Sequence, residues 1–303
     1  MSTGPIHRGV ARVLSNQALP GSCYHLRLFA PEVAQRARPG SFIHLTCHPS
    51  LTLPRPFSIF NAQPNRGEIS ILYKVVGQGT TFMANWQVGN EVVYLGPIGK
   101  TFSIPDSVQR VILIAGGIGV APLEFLASTW MGQGREIFLF WGVEGEAPFE
   151  LGLSDHILPG FEAPFALEPI RWQELNIPAR LASVTRKEGY YLGYVTDLAR
   201  QFIQALPTID RRTTAIYACG PTPMLAATAR LAKQFHLGGE LSLEERMGCG
   251  IGGCAGCVVP IWPDIKNKQE WNYQRVCVDG PVFAIDQMAW EDDPLLHNKG
   301  KTQ

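Results

Sequence analysis

Four cysteines near the carboxyl end have a spacing that could do redox chemistry. Cys249, Cys254 and Cys257 stand in the stretch EERMGCGIGGCAGCVV, Glu244 to Val259, and Cys277 follows after nineteen intervening residues. The pattern C-x4-C-x2-C…C is that of a plant-type [2Fe–2S] site. A two-iron core needs four outer thiolates, and a short loop can supply three only by wrapping it closely. Gly248, Gly250, Gly252, Gly253 and Gly256 suit such wrapping, because glycine takes positive φ and has no Cβ to meet the sulfides. Loop amides can then point at the sulfurs and tune them. A structural zinc on the same four thiols is the competing reading, but zinc prefers two separated C-x2-C pairs. A cluster with no catalytic group of its own implies electron transfer, so the rest of the chain must hold what feeds it.

The elements that would position such a cluster fall into two kinds. Residues 1 to about 104 read as short alternating strands, such as Ile6–Leu14, Tyr24–Leu28, Phe42–Thr46, Glu68–Val76 and Glu91–Leu95, punctuated by Gly and Pro. Regular short strands predict a small closed antiparallel barrel. Three pieces interrupt it: Arg55-Pro56-Phe57-Ser58, then Tyr73-Lys74-Val75-Val76-Gly77-Gln78-Gly79-Thr80, then Gly96-Pro97-Ile98-Gly99. Singly, each reads as a strand end or a turn. From Val108 the character changes. Arg110–Ala115 is an apolar run fit for a central parallel strand, and it enters Gly116-Gly117-Ile118-Gly119-Val120-Ala121-Pro122 and the helical pattern Leu123–Trp130. A second strand, Glu136–Trp141, and a third, Thr214–Tyr217, follow. The third runs into Cys219-Gly220-Pro221-Thr222-Pro223-Met224 and a helix to Phe235. Strand, glycine loop and helix form a nucleotide-binding arrangement, although not the G-x-G-x-x-G version. Cys219 also reads as a small buried hydrophobe beside a turn.

In this order, the pieces resemble the ferredoxin–NADP reductase superfamily. That resemblance implies a flavin-binding barrel in which an R-x-Y/F-S strand meets FAD. Arg55 would pair with the pyrophosphate, Ser58 would face the reactive flavin edge, and Gly77, Gly79 and Thr80 would open a helix towards phosphate. It implies FAD contacts from Arg55, Pro56, Phe57, Ser58, Tyr73, Lys74, Val75, Gly77, Gly79 and Thr80. It implies NAD contacts from Gly116, Gly117, Gly119, Cys219, Gly220, Pro221 and Met224, with Cys219 beside the nicotinamide. The fold class is therefore multidomain, β plus α/β. Its expected parts are a flavin barrel (1–104), a Rossmann-like NAD-binding parallel sheet (105–238), a [2Fe–2S] module (239–286) and a polar tail (287–303) expected to be poorly ordered.

SLEERMGCGIGGCAGCVV followed by VCVDGPVF narrows the match. With RPFS, VVGQGT, GPIG, GGIGVAPL, CGPTPM and GYYLGYVTDLA in order, nearly the whole chain resembles the iron–sulfur electron-transfer subunit of NAD-dependent, two-subunit dihydroorotate dehydrogenases. Cys249 and Cys254, with Cys257 and Cys277, would hold the cluster. The family implies an FMN-containing catalytic subunit as partner, in a two-plus-two heterotetramer serving pyrimidine biosynthesis. Electrons would run from that FMN through the cluster to FAD and NAD+. Small subunits of ferredoxin–NADP transhydrogenases and sulfide dehydrogenases are the nearest alternatives, and they usually have aspartate where Cys249 stands. Nothing here resembles a (β/α)8 barrel or an orotate site. Two stretches depart from the family: Thr185-Arg186-Lys187-Glu188-Gly189 has two cations, and Gly142-Val143-Glu144 lacks an arginine. Both fall where the adenosine half of the nicotinamide cofactor would lie. Glu144 and Glu146 favour the free ribose of NAD over a 2′-phosphate.

Composition closes off other classes. Lys plus Arg equals Asp plus Glu at 26 each, so no net charge points to nucleic acid or an anionic membrane. The start MSTGPIHRGVARVL has no apolar signal segment, and no apolar run is long enough for a membrane span. Seven cysteines leave Cys23, Cys47 and Cys219 outside the cluster, which suggests reduced thiols in the cytoplasm.

Overall fold

Alternation along the amino-terminal strands places every second side chain on one face, and that face closes on itself. In the computed structural model, which describes residues 5–161, 166–265 and 267–290, six strands form a closed antiparallel barrel. They are β1 (His7–Leu19), β2 (Cys23–Phe29), β3 (Phe42–Leu45), β4 (Arg55–Gln63), β5 (Glu68–Lys74) and β6 (Glu91–Ile98), in the order β1-β2-β5-β4-β3-β6. Leu26 and Leu28, Ile43 and Leu45, and Ile69 and Ile71 fill the interior at period two. Helix α1 (Pro31–Arg36) adds Val33 and Ala34 to that core, and α2 (Gln78–Ala84) adds Met83. RPFS is the start of a nine-residue strand, longer than the sequence suggested.

The middle of the chain forms a parallel sheet. In chain order come β7 (Arg110–Gly116), α3 (Val120–Trp130), β8 (Glu136–Gly142), β9 (Leu151–Leu153), β10 (Leu167–Pro169), α4 (Ile170–Glu174), β11 (Ala179–Ser183), β12 (Tyr191–Leu192), α5 (Val195–Ala205), α6 (Thr208–Arg211), β13 (Thr214–Cys219), α7 (Thr222–Phe235) and β14 (Gly238–Ser242), of which β9 and β10 form a separate antiparallel pair outside the sheet. Strands β7 and β13 are apolar because both faces are covered, by α3 on one side and by α5 and α7 on the other. Strand order reverses between β7 and β13, which opens a crevice at their carboxyl ends.

The carboxyl-terminal module is tied into this sheet. β15 (Val258–Ile261) pairs with β16 (Asn272–Arg275), and β17 (Val282–Ala284) adds an antiparallel edge to β14. Residues 287–290 also pack: Trp262 donates its amide to Gln287, Met288 bridges to Ile261 and Ala289 is buried. Residues 291–303, the rest of the expected tail, lie outside the described residues. Among the described residues no helix is long and apolar enough to cross a membrane.

One side chain staples barrel to sheet. The Arg171 guanidinium lies 4.8 Å from the ring centres of both Phe60, on β4, and Phe149. It donates to Glu124 of α3 at 2.7 Å. His25 of β2 packs edge-on against Phe60 at the same junction. Burial, then the charges of Arg171 and Arg27, lowers the His25 pKa to about 4. The folded value lies below the unfolded value near 6.5, so the neutral ring's contribution is complete above about pH 6.5. It is lost as pH falls towards 4. Replacing His25 with asparagine should therefore remove roughly 1–2 kcal/mol of the stability lost between pH 7 and pH 5. Urea midpoints at the two pH values check this, and an unchanged pH slope contradicts it.

Candidate redox site

Two clefts and a cysteine loop meet where barrel, sheet and carboxyl-terminal module converge. The first cleft has a volume of about 960 Å³. One wall is Arg55, Pro56, Phe57 and Ser58 of β4, with Tyr73, Lys74 and Thr80. The second wall is Ile118 and Ala121 beside the β7 loop, and the third is residues 242–247, the chain leaving β14. Arg55 is held at the mouth, where Nη1 donates to the carbonyls of Leu53 at 2.7 Å and Pro54 at 3.2 Å. The Tyr73 hydroxyl donates to Asn16 Oδ1, and its ring stacks on Tyr24 and meets Phe57 edge-on. Thr80 Oγ1 accepts from the amides of Val76 and Gly77 and donates to the Gly77 carbonyl, so it caps α2. Three of the expected residues do not line the cleft. Val75 packs on the barrel core. Gly77 starts the α2 turn. Gly79 is buried in α2 beside Cys47 and the Arg55 side chain.

The second cleft, about 750 Å³, sits at the crevice between β7 and β13. Gly116, Gly117, Pro221 and Met224 line it, with Gly142, Glu144 and Glu146 from the loop after β8. Gly117 has φ +51° and open space where a Cβ would be, and its carbonyl accepts from the Trp141 indole at 2.8 Å. Gly119 and Gly220 act differently. A Cβ on Gly119 would lie 2.3 Å from the Cys219 carbonyl oxygen, and one on Gly220 2.9 Å from Gly116 Cα. These two positions let the glycine loops touch, and they do not line the cleft. Lys187 folds back onto the adjoining loop, donating Nζ to the carbonyls of Glu144 and Gly145. Lys74 and Ile118 line both clefts, which are therefore contiguous.

Cys219 is fully buried beneath this junction, 4.0 Å from Glu244 Oε1. Burial pushes its thiol well up, and Glu244 adds to the effect. Burial also raises the Glu244 carboxyl. Sequence reasoning did not single out Glu244 or Ser242 as site residues, although both lie in the SLEERMGCG stretch and line the first cleft.

The four cysteines gather as two pairs. Cys254 donates its amide to Cys249 Sγ at 3.4 Å, and Ile251 donates to the same sulfur at 3.5 Å. These amides, Ile251 first, draw the Cys249 pKa down to about 6. Cys257 and Cys277 face each other, and burial, then Cys257, pushes Cys277 up to about 12. The first pair is on the outside, with Cys254 exposed and Cys249 half-buried, whereas Cys257 and Cys277 belong to the core. Among the described residues no three His, Cys, Asp or Glu side chains are grouped to hold a single metal ion. Two thiols on each side is the donor set a two-iron core requires, so the residues fit that group. Gly250 and Gly252 have φ +69° and +83°, and Ala255 also takes the left-handed region at +51°. The remaining loop glycines do not need positive φ. Arg275 braces the loop, donating to the Gly252 carbonyl at 3.2 Å while Nε donates to Asp279 at 3.0 Å.

Comparison with known proteins agrees with this geometry. Residues 244–289 match the family model described as the iron-sulfur cluster binding domain of dihydroorotate dehydrogenase B. The chain is 31% identical to the electron transfer subunit of dihydroorotate dehydrogenase B (NAD(+)) from Desulforamulus reducens, over 93% of this chain and 98% of that protein. It belongs to that family. The corresponding subunit from Shouchella clausii is 32% identical with the same coverage. The fold extends further. The structure of an NADH-dependent reduced ferredoxin-NADP oxidoreductase superposes with a TM-score of 0.75 at 21% identity, covering 97% of this chain and 94% of that one. A ferredoxin NADP+ reductase from Neisseria gonorrhoeae, with FAD and NADP bound, superposes at 0.58 over 75% and 91%.

Proposed function

We propose that this chain is the electron-transfer subunit of an NAD-linked dihydroorotate dehydrogenase, working with FAD, a [2Fe–2S] cluster and NAD. The observation that carries the reading is contiguity. Residues 242–247 line the first cleft and lead directly into Cys249, while Lys74 and Ile118 join that cleft to the second. When bound, these groups supply hydride exchange at the nicotinamide, one-electron exchange at the cluster, and conversion between the two at the flavin.

The residues have matching tasks. Arg55 places a guanidinium fork at the cleft mouth for the FAD pyrophosphate, once released from the Leu53 and Pro54 carbonyls. Pro56, Phe57 and Ser58 line the flavin wall. Tyr73 and Thr80 are held by Asn16 and the α2 turn, so they shape that wall. Gly117 leaves backbone open to the dinucleotide in the second cleft. Cys249, Cys254, Cys257 and Cys277 hold the cluster. We assign 1–104 to the FAD barrel, 105–238 to the NAD domain and 239–286 to the cluster domain. The partner is a catalytic subunit, read here as the FMN-containing one in a two-plus-two assembly, docking at the exposed Cys249–Cys254 side. A cytoplasmic location suits Cys23, Cys47 and Cys219, which are buried free thiols.

Cys254→Ser should remove the reduced-state EPR signal of the cluster and most electron transfer to the partner. Flavin reduction by NADH should persist, because hydride exchange does not use the thiolates. Unchanged iron and sulfide in this variant would rule the assignment out.

Nicotinamide choice follows from the second cleft. Glu144 and Glu146 line it, and the Lys187 ammonium is taken up by two backbone carbonyls. A 2′-phosphate beside Glu144 and Glu146 meets two carboxylates and gains no free cation from Lys187; the cations that line the cleft, Lys74, Arg200 and Arg230, come from other elements. NADH should exceed NADPH in kcat/KM by about tenfold or more in dye reduction, a difference near 1.4 kcal/mol. Preference for NADPH would contradict this assignment of Glu144 and Glu146.

A further inference from the structure

β3 alternates as a barrel strand must. Ile43 and Leu45 enter the barrel core, while Phe42 joins the core of the sheet and the cysteine module. His44 shares the outward face with Phe42, and only 1% of it is exposed. A leucine or phenylalanine would satisfy such a position. The imidazole instead leaves both Nδ1 and Nε2 buried and without a hydrogen-bond partner among the described residues. Burial of unpartnered polar atoms is unfavourable, and native interiors rarely keep them without a reason.

The position of the ring supplies that reason. A Cβ built on Gly250 would stand 2.7 Å from His44 Nδ1 and 3.2 Å from its Cε1. Gly250 is the residue after Cys249, at φ +69° in the turn that wraps the cluster site. The ring thus presses on the cysteine loop and fills the space any other side chain would take. On its other side the His44 backbone pairs with Pro56, next to Arg55 in the strand that lines the first cleft. Burial, with Arg55 adding to it, lowers the His44 pKa to about 4, so at neutral pH the ring is uncharged and has one N–H to donate. Loop amides already donate to Cys249 Sγ, yet a two-iron core has further sulfur acceptors that the loop backbone must share.

We infer that His44 is a positioning residue for the cluster, holding the Gly250 turn in place and donating its buried N–H to a sulfur of the cluster. A donor to sulfur stabilises the more negative, reduced cluster and so raises its potential. His44 therefore links the flavin strand to the cluster loop and sets how readily the cluster accepts an electron. The inference rests on the cluster assignment made above.

The test uses the full chain with its cofactors. His44→Phe keeps a planar ring and removes the donor, whereas His44→Gln keeps a donor. The readouts are iron and sulfide content and the cluster midpoint potential from an EPR-monitored redox titration. The phenylalanine variant should retain iron but favour the oxidised cluster by about tenfold at a given potential, a shift of about 59 mV to more negative values. The glutamine variant should stay within about threefold of the wild type. A phenylalanine variant titrating at the wild-type potential overturns the inference. So does a glutamine variant shifted as far as phenylalanine, or loss of iron in both, since either result reduces His44 to packing. If the wild type itself gives no two-iron signal, the cluster assignment fails as well. A wild-type signal with an unshifted phenylalanine variant defeats only the role of His44.

Discussion

The continuity of the backbone from β14 into the cysteine loop is the constraint on which the arrangement depends. β14 is fixed by pairing with β13 on one side and β17 on the other. Its extension, 242–247, runs along the first cleft and leads to Cys249. A sheet strand, a cleft wall and a thiolate loop are thereby successive parts of one peptide. Electron transfer between groups held this way needs no domain movement to bring them together. The antiparallel β17 closes the frame, because the strand after Cys277 returns to the sheet that the loop left.

Burial divides the cysteine loop usefully. Cys257 and Cys277 are in the apolar core, where the surroundings raise the Cys277 pKa and keep water away. Cys249 and Cys254 sit at the surface with amide donors aimed at Cys249. One side is thus anchored to the fold and the other presented outward, where a partner can approach. Arg275 of β16, paired with Asp279, ties the outward segment to the anchored side by gripping the Gly252 carbonyl between Cys249 and Cys254. Its surface ion pair alone would contribute little, but the same guanidinium also fixes a backbone turn.

Much of this was legible in the sequence, for local reasons. The cysteine spacing, the RPFS strand and the two glycine loops are short, and their chemistry follows from residue type and order. The barrel and parallel sheet were legible as changes in hydrophobic period. What stayed hidden is non-local. Nothing near His44 in the sequence announces Gly250, and nothing near Arg171 announces Phe60 and Glu124. The glycines mark a second limit: Gly117 and Gly119 look alike in GGIGVAP, yet one opens onto a cleft and the other lets two loops touch. Lys187 and Glu144 were each visible, but only folding shows that the lysine is taken up by the loop carbonyls.

The central claim is that flavin, nicotinamide and cluster sites form one connected redox unit within this single chain. Anaerobic titration of the cofactor-loaded chain with NADH, followed by visible absorbance and EPR together, tests it most directly. The account predicts uptake of about three electron equivalents per chain, two for the flavin and one for the cluster. The flavin should bleach while the reduced-cluster signal grows, without any partner subunit. Flavin bleaching at about two equivalents with no cluster signal would contradict it.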